Sequence, residues 1–258
     1  MRGTHMNCAV AGVVASTVLE LAAAAPASYL QLTQERSLTA NASASTPGAP
    51  VNDPKSETST DLGSFDRSFT SSAAAPRPNF PGEFARASAS ASQAVTFGGS
   101  SIDGQFQING STGTLSAGET ASTGNSTRWT TRFTVATPTP FQLNGHMNLQ
   151  SGGLGSFGSQ SISFGFFGDG AGEYFFSRGG LAADFPIQAS GDLQPGHVYT
   201  LSAQIEGGKF GGATSDDFAK TVTGSINFTL AVPEPASAAG VLALGLLATL
   251  RRRGLRGR

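Results

Sequence analysis

Alternation of bulky and polar side chains with a period of two runs from Gln93 to Leu230, and it leaves few folds open to the chain. In Trp129-Thr130-Thr131-Arg132-Phe133-Thr134-Val135, one face takes Trp129, Phe133 and Val135, with Thr131 in the remaining position. Phe141, Leu143, Met147 and Leu149 continue the pattern across Gly145. Ile162, Phe164 and Phe166 repeat it, and Tyr174 and Phe176 follow. Val198 to Ile205 alternates again, as does Val222 to Leu230 through Gly224, Ile226 and Phe228. Successive side chains of a strand point to opposite faces, so each run reads as a half-buried antiparallel strand bounded by Gly, Asn, Asp and Pro clusters. No ten-residue window of this stretch carries a convincing 3.6-residue apolar stripe. Short strands spaced by turns close economically into a two-sheet antiparallel β-sandwich or jelly roll. The expected fold is all-β, with the domain over residues 61–231 and its core from about residue 93.

Upstream the pattern weakens. Asn41-Ala42-Ser43-Ala44-Ser45-Thr46-Pro47-Gly48-Ala49-Pro50 holds no large apolar residue. Such a segment buries too little surface to offset chain entropy, so residues 28–60 are expected to be a disordered, low-complexity linker. Phe65, Phe69, Phe80 and Phe84 reappear among Ser, Ala and Pro, and Ala85 to Ser92 reads as a small-residue strand or a linker. Residues 1–27 read as a secretory signal peptide: a thin basic start at Arg2 and His5, an apolar run from Ala9 to Leu19, and small residues at Ala25-Pro26-Ala27. Cys8, the one cysteine, lies inside it. No internal disulfide and no cysteine-based metal site can therefore form.

The C-terminal residues are of another kind. Val232, Pro233, Glu234 and Pro235 make a rigid break before an apolar segment, Ala236 to Leu250, with no ionisable side chain. Ala236, Val241, Leu242, Leu244, Leu246, Leu247 and Leu250 give it its hydrophobicity. As a single helix it would be roughly 22 Å long against a hydrocarbon core of about 30 Å. Length alone leaves it marginal, and the flanks decide. Arg251, Arg252, Arg253, Arg256 and Arg258 fit a stop signal held on the cytoplasmic side, with the body outside. Between Ser28 and Pro235 there are 10 basic and 16 acidic side chains, a net charge of about −6. Once the terminal arginines are given to the membrane, no basic patch remains for nucleic acid.

The Pro-Glu-Pro, the apolar segment and the arginine cluster over residues 232–258 together resemble the PEP-CTERM sorting signal of Gram-negative and related bacteria. A GPI signal, which ends in its hydrophobic segment, is a poorer match because Arg251 to Arg258 follow. The resemblance covers about a tenth of the chain. It implies a partner, a membrane processing enzyme of the exosortase type, and a destination at the cell envelope or in the extracellular matrix. Leu193-Gln194-Pro195-Gly196-His197-Val198-Tyr199-Thr200-Leu201 is similar to a turn met in extracellular β-sandwiches, including ectodomains with PEP-CTERM tails. That motif is architectural and names no ligand.

Chemistry-bearing constellations are sparse. A hydrolytic triad needs a nucleophile, a base and an orienting acid within reach of one another. His146 and His197, the histidines of the mature body, read as strand and turn residues. No Gly-x-Ser-x-Gly elbow opens a helix, and Gly153 to Gly158 resembles a phosphate loop in composition only. Asp216-Asp217, and Asp169 of Gly168-Asp169-Gly170 with Glu173 nearby, could offer oxygens to Ca²⁺, but neither matches a known loop, and solvated turn acids are the expectation. No catalytic residue, resident metal or cofactor is therefore expected, and the chain reads as a non-catalytic surface or matrix protein. A carbohydrate-binding module that retains exopolysaccharide is the alternative, with Trp129, Tyr174 and Tyr199 as the residues for stacking a sugar. An aromatic exposed on a flat or concave sheet face would favour it.

Overall fold

In the computed structural model, residues 27–231 are described apart from 48, 79, 81, 114–117, 153–159, 171–172, 181–183 and 212–217. The expected signal peptide, the tail from Val232, the Gly153–Gly158 loop and Asp216-Asp217 thus lie outside the described residues, Ala27 excepted. The elements are β1 (Tyr29–Thr46), β2 (Ala49–Ser59), β3 (Phe65–Pro76), β4 (Phe84–Phe97), β5 (Ser101–Thr112) and β6 (Thr120–Val135). They continue with β7 (Thr139–Gly152), β8 (Gln160–Gly168), β9 (Tyr174–Gly180), β10 (Phe185–Leu193), β11 (Tyr199–Gly211) and β12 (Phe218–Leu230). One sheet runs β2-β1-β6-β11-β8-β9 and the other β10-β7-β12-β5-β4-β3. All pairings are antiparallel, so the expected two-sheet sandwich forms.

The interior changes character from one side to the other. On the β7–β12–β8 side it is aromatic. Phe133, Phe166 and Tyr199 from one sheet interlock with Phe141 and Phe228 from the other, with ring centroids 5.0 Å apart for Phe141–Phe166 and 5.3 Å for Phe133–Phe228. On the β1–β3–β4 side it is built from methyl groups: Ala40, Ala42 and Ala44 of β1, Ala73 and Ala75 of β3, and Ala85, Ala87, Ala89 and Ala91 of β4, all buried. Backbones there approach across the interface to within 8 Å between Cα atoms, β1 against both β3 and β4. Stacked sheets ordinarily lie about 10 Å apart. The sandwich tapers, thick where phenylalanine fills it and thin where alanine does.

This taper corrects the disordered linker expected over residues 28–60. β1 and β2 occupy that segment, and β1 is an inner strand, hydrogen-bonded to β2 on one side and β6 on the other. Alanine supplies little transfer free energy per residue, but a face of alanines lets two sheets close without voids, so short side chains still contribute dispersion along a strand. The core correspondingly begins well before residue 93. β2 is a true edge, and Pro50 and Pro54 with Asp53, Lys55 and Glu57 blunt it. Its edge is tied to the other sheet: Ser72 N–H donates to Asp53 Oδ2 at 3.0 Å, and the Ser71 hydroxyl donates to the Asp53 carbonyl.

Both ends of the described body meet at one pole. The Tyr29 hydroxyl donates to the Gly98 carbonyl at 2.9 Å, and Leu230 N–H donates to the Ser100 carbonyl at 2.8 Å. The turn between β4 and β5 therefore sits between entry and exit. Among the described residues no helix is long and apolar enough to cross a membrane.

Candidate functional site

At that same pole, the turn joining β8 to β9 packs on the turn joining β10 to β11. Pro195-Gly196 makes the second turn, with Gly196 at φ +85°, the left-handed value that position favours glycine for. Tyr199 then enters β11 with its ring fully buried. Its hydroxyl accepts from Gln194 N–H at 2.6 Å, and its proton lies between the Gln194 carbonyl at 3.1 Å and Glu173 Oε1 at 3.2 Å. A tyrosine bonded back to the chain a few residues upstream is the corner device of β-sandwiches. Burial, then the charge of Glu173, raises the Tyr199 pKa, which keeps the phenol protonated as a donor.

Around this corner the structure assembles three side chains. Glu173 Oε2 lies 3.1 Å from His197 Nδ1, and Asp169 Oδ1 lies 3.6 Å from the same nitrogen. All three ligand atoms fall within 4.8 Å of one another. Asp169 and Val198 bond reciprocally, Val198 N–H to Asp169 Oδ1 at 3.0 Å and Asp169 N–H to the Val198 carbonyl at 3.1 Å, so the two turns are fixed relative to each other. Glycine makes the space. A Cβ at Gly170 would come 2.6 Å from His197 Nδ1 and 2.8 Å from Glu173 Oε2. The sequence had joined Asp169 to Glu173, but not to His197, because 24 residues and two strands separate His197 from Glu173. The corner motif was the available signal, since it fixes where residue 197 must sit.

The aromatics nominated for sugar stacking fare differently. Trp129 is fully buried, its ring 6.0 Å from Phe106 and 6.3 Å from Phe97, and Tyr199 is equally buried. Neither presents a face to a ligand, because both fall on the inward phase of their strands. Tyr174 is 65 % exposed, its ring tilted against that of Phe167. The reason is a register shift between Phe166 and Phe167: Phe166 opposes Phe176 while Phe167 opposes Tyr174, leaving Phe175 to pack at 4.8 Å on Phe166. The simple alternation of Tyr174 with Phe176 is broken by this bulge.

Sequence reading missed the outer face of the β10–β3 sheet. There Asp66, Ala94, Gln105, Ser225 and His146 stand in one cross-strand row over β3, β4, β5, β12 and β7. Ser92, Gln107 and Thr223 form the next row. Together they line a groove of about 410 Å³. Its side chains are mostly neutral hydrogen-bonding groups, with His146 Nε2 3.1 Å from Asp184 at one end. The signal was present as the polar phase of each strand, but polar alternation alone does not tell a groove from an ordinary solvated face. No family model matches the chain, and no curated protein matches it either.

Proposed function

We propose that this chain is an exported, non-catalytic protein of the cell surface or extracellular matrix, delivered through its C-terminal segment and processed there by an exosortase-type membrane enzyme. The order of Pro233-Glu234-Pro235, the apolar run to Leu250 and the closing arginines carries the proposal. A body with outer faces of Ser, Thr, Asn and Gln is compatible with that destination, as is its net negative charge. Cell fractionation with mass spectrometry of the mature ends tests it. In a host with an exosortase, the expected product is envelope-bound or extracellular, begins near Ser28 and ends near the Pro-Glu-Pro. A full-length chain confined to the cytoplasm would sink the reading.

The groove favours a second reading, carbohydrate binding. The strand orders β5-β12-β7-β10 and β6-β11-β8-β9 follow the double Greek key of a jelly roll, an architecture that lectin domains use. Gln105, Gln107, Thr223 and Ser225 offer paired donors and acceptors to hydroxyl groups without a net charge. Polysaccharide pull-down should retain the protein on a neutral polymer and lose it in Gln105→Ala/Gln107→Ala. No retention on any polymer rejects this second reading and leaves the first intact.

A further inference from the structure

We infer that Asp169, Glu173 and His197 form a binding site for one divalent transition-metal ion of the zinc class, which staples the β8–β9 turn to the β10–β11 turn. His197 Nδ1 is closed off from solvent and makes no hydrogen bond, yet carboxylate oxygens face it at 3.1 and 3.6 Å. A bare lone pair directed at two carboxylates is repulsive, so a positive species belongs between them. Among the described residues, the imidazole is the sole basic side chain paired with either carboxylate.

Three observations select a metal over a proton. The nitrogen and its nearest oxygen are within 3.1 Å, yet their alignment fails for an N–H donor. Ligands bonded to zinc at about 2.0–2.2 Å in a tetrahedron stand about 3.4 Å from one another, close to the 3.1 and 3.6 Å separations here. The third observation is the cradle: Gly168 and Gly170 leave space that a Cβ would fill against Glu173 and His197. The donor set names the ion class. An imidazole with two carboxylates fits Zn²⁺ and its neighbours, whereas Ca²⁺ and Mg²⁺ take oxygen ligands. Tyr199, donating to Glu173 Oε1, holds that carboxylate in place while Oε2 turns to the metal. Three protein ligands leave a position for water, and the ion joins two turns that the chain connects only through β9 and β10.

The site is independent of the export reading, and so is its test. Full-length protein in detergent, stripped with a chelator, is titrated with Zn²⁺, Co²⁺ and Ca²⁺ by calorimetry and thermal melting. One Zn²⁺ should bind per chain and raise the melting midpoint by about 5–10 °C at saturation. Co²⁺ should develop visible absorption bands of a four- or five-coordinate site, and Ca²⁺ should do neither. His197→Gln should weaken Zn²⁺ binding by roughly tenfold or more. His146→Gln, at the other histidine–carboxylate pair, should leave it unchanged. Emission from buried Trp129 reports whether each variant is folded. The inference is overturned if folded wild-type protein binds neither Zn²⁺ nor Co²⁺, if binding survives His197→Gln, if His146→Gln abolishes it, or if Ca²⁺ binds as tightly as Zn²⁺.

Discussion

Trp129 is the chain's one tryptophan, and its indole has no exposed surface. Its fluorescence should therefore be blue-shifted in the native protein, resist acrylamide, and stay unchanged when polysaccharide is added. Red-shifted emission from folded protein would contradict the inward phase assigned to β6. Tyr29 offers a second residue-level readout. Burial, then the charge of Asp103, raises its pKa to about 12, from a usual value near 10. A raised folded pKa stabilises the fold fully below pH 10, and the contribution is lost as pH rises through 12. Wild type should be the more stable in urea than Tyr29→Phe at neutral pH, by about 1 kcal/mol from the lost hydrogen bond. That gap should shrink between pH 10 and 12. A gap that stays constant to pH 12 would count against the half-buried, bonded hydroxyl.

At the scale of elements, the alanine-lined strands make the sharpest forecast. Ala89 of β4 is buried on the alanine-lined side, where β4 approaches β1 of the other sheet, while Ala74 of β3 faces solvent. Ala89→Leu should destabilise the protein by about 1–3 kcal/mol or more, because overpacking a thin interface forces the sheets apart. Ala74→Leu should stay within about 0.5 kcal/mol of wild type. Equal effects in chemical denaturation would mean the taper is wrong. These strands were also the ones least visible in the sequence. Where the inward phase is Trp129, Phe133 or Phe228, a two-residue period stands out at once. In Ala40-Asn41-Ala42-Ser43-Ala44-Ser45 the same period is written as methyl against hydroxyl or amide, a contrast too small for a hydrophobicity criterion built on large side chains. The information was there as alternation of kind rather than of size. Tyr174 leaves the simple alternation for a different reason, since a bulge shifts phase there and no residue type announces it.

For the molecule as a whole, the sandwich was legible because strands such as β6, β8 and β12 carry large inward residues, and the corner at Tyr199 because its motif is local. The cluster of Asp169, Glu173 and His197 was only half legible: proximity across two turns is a product of the completed topology. The strand that ends the described body also decides how the molecule carries load. β12 is hydrogen-bonded to β5 along one side and to β7 along the other over nearly its full length, and the chain leaves it at Leu230. A tether pulling on that exit in line with the strand strains both ladders in shear, so many bonds must yield together instead of unzipping one at a time. Attached there, the sandwich would take up load along a strand that is laddered on both sides.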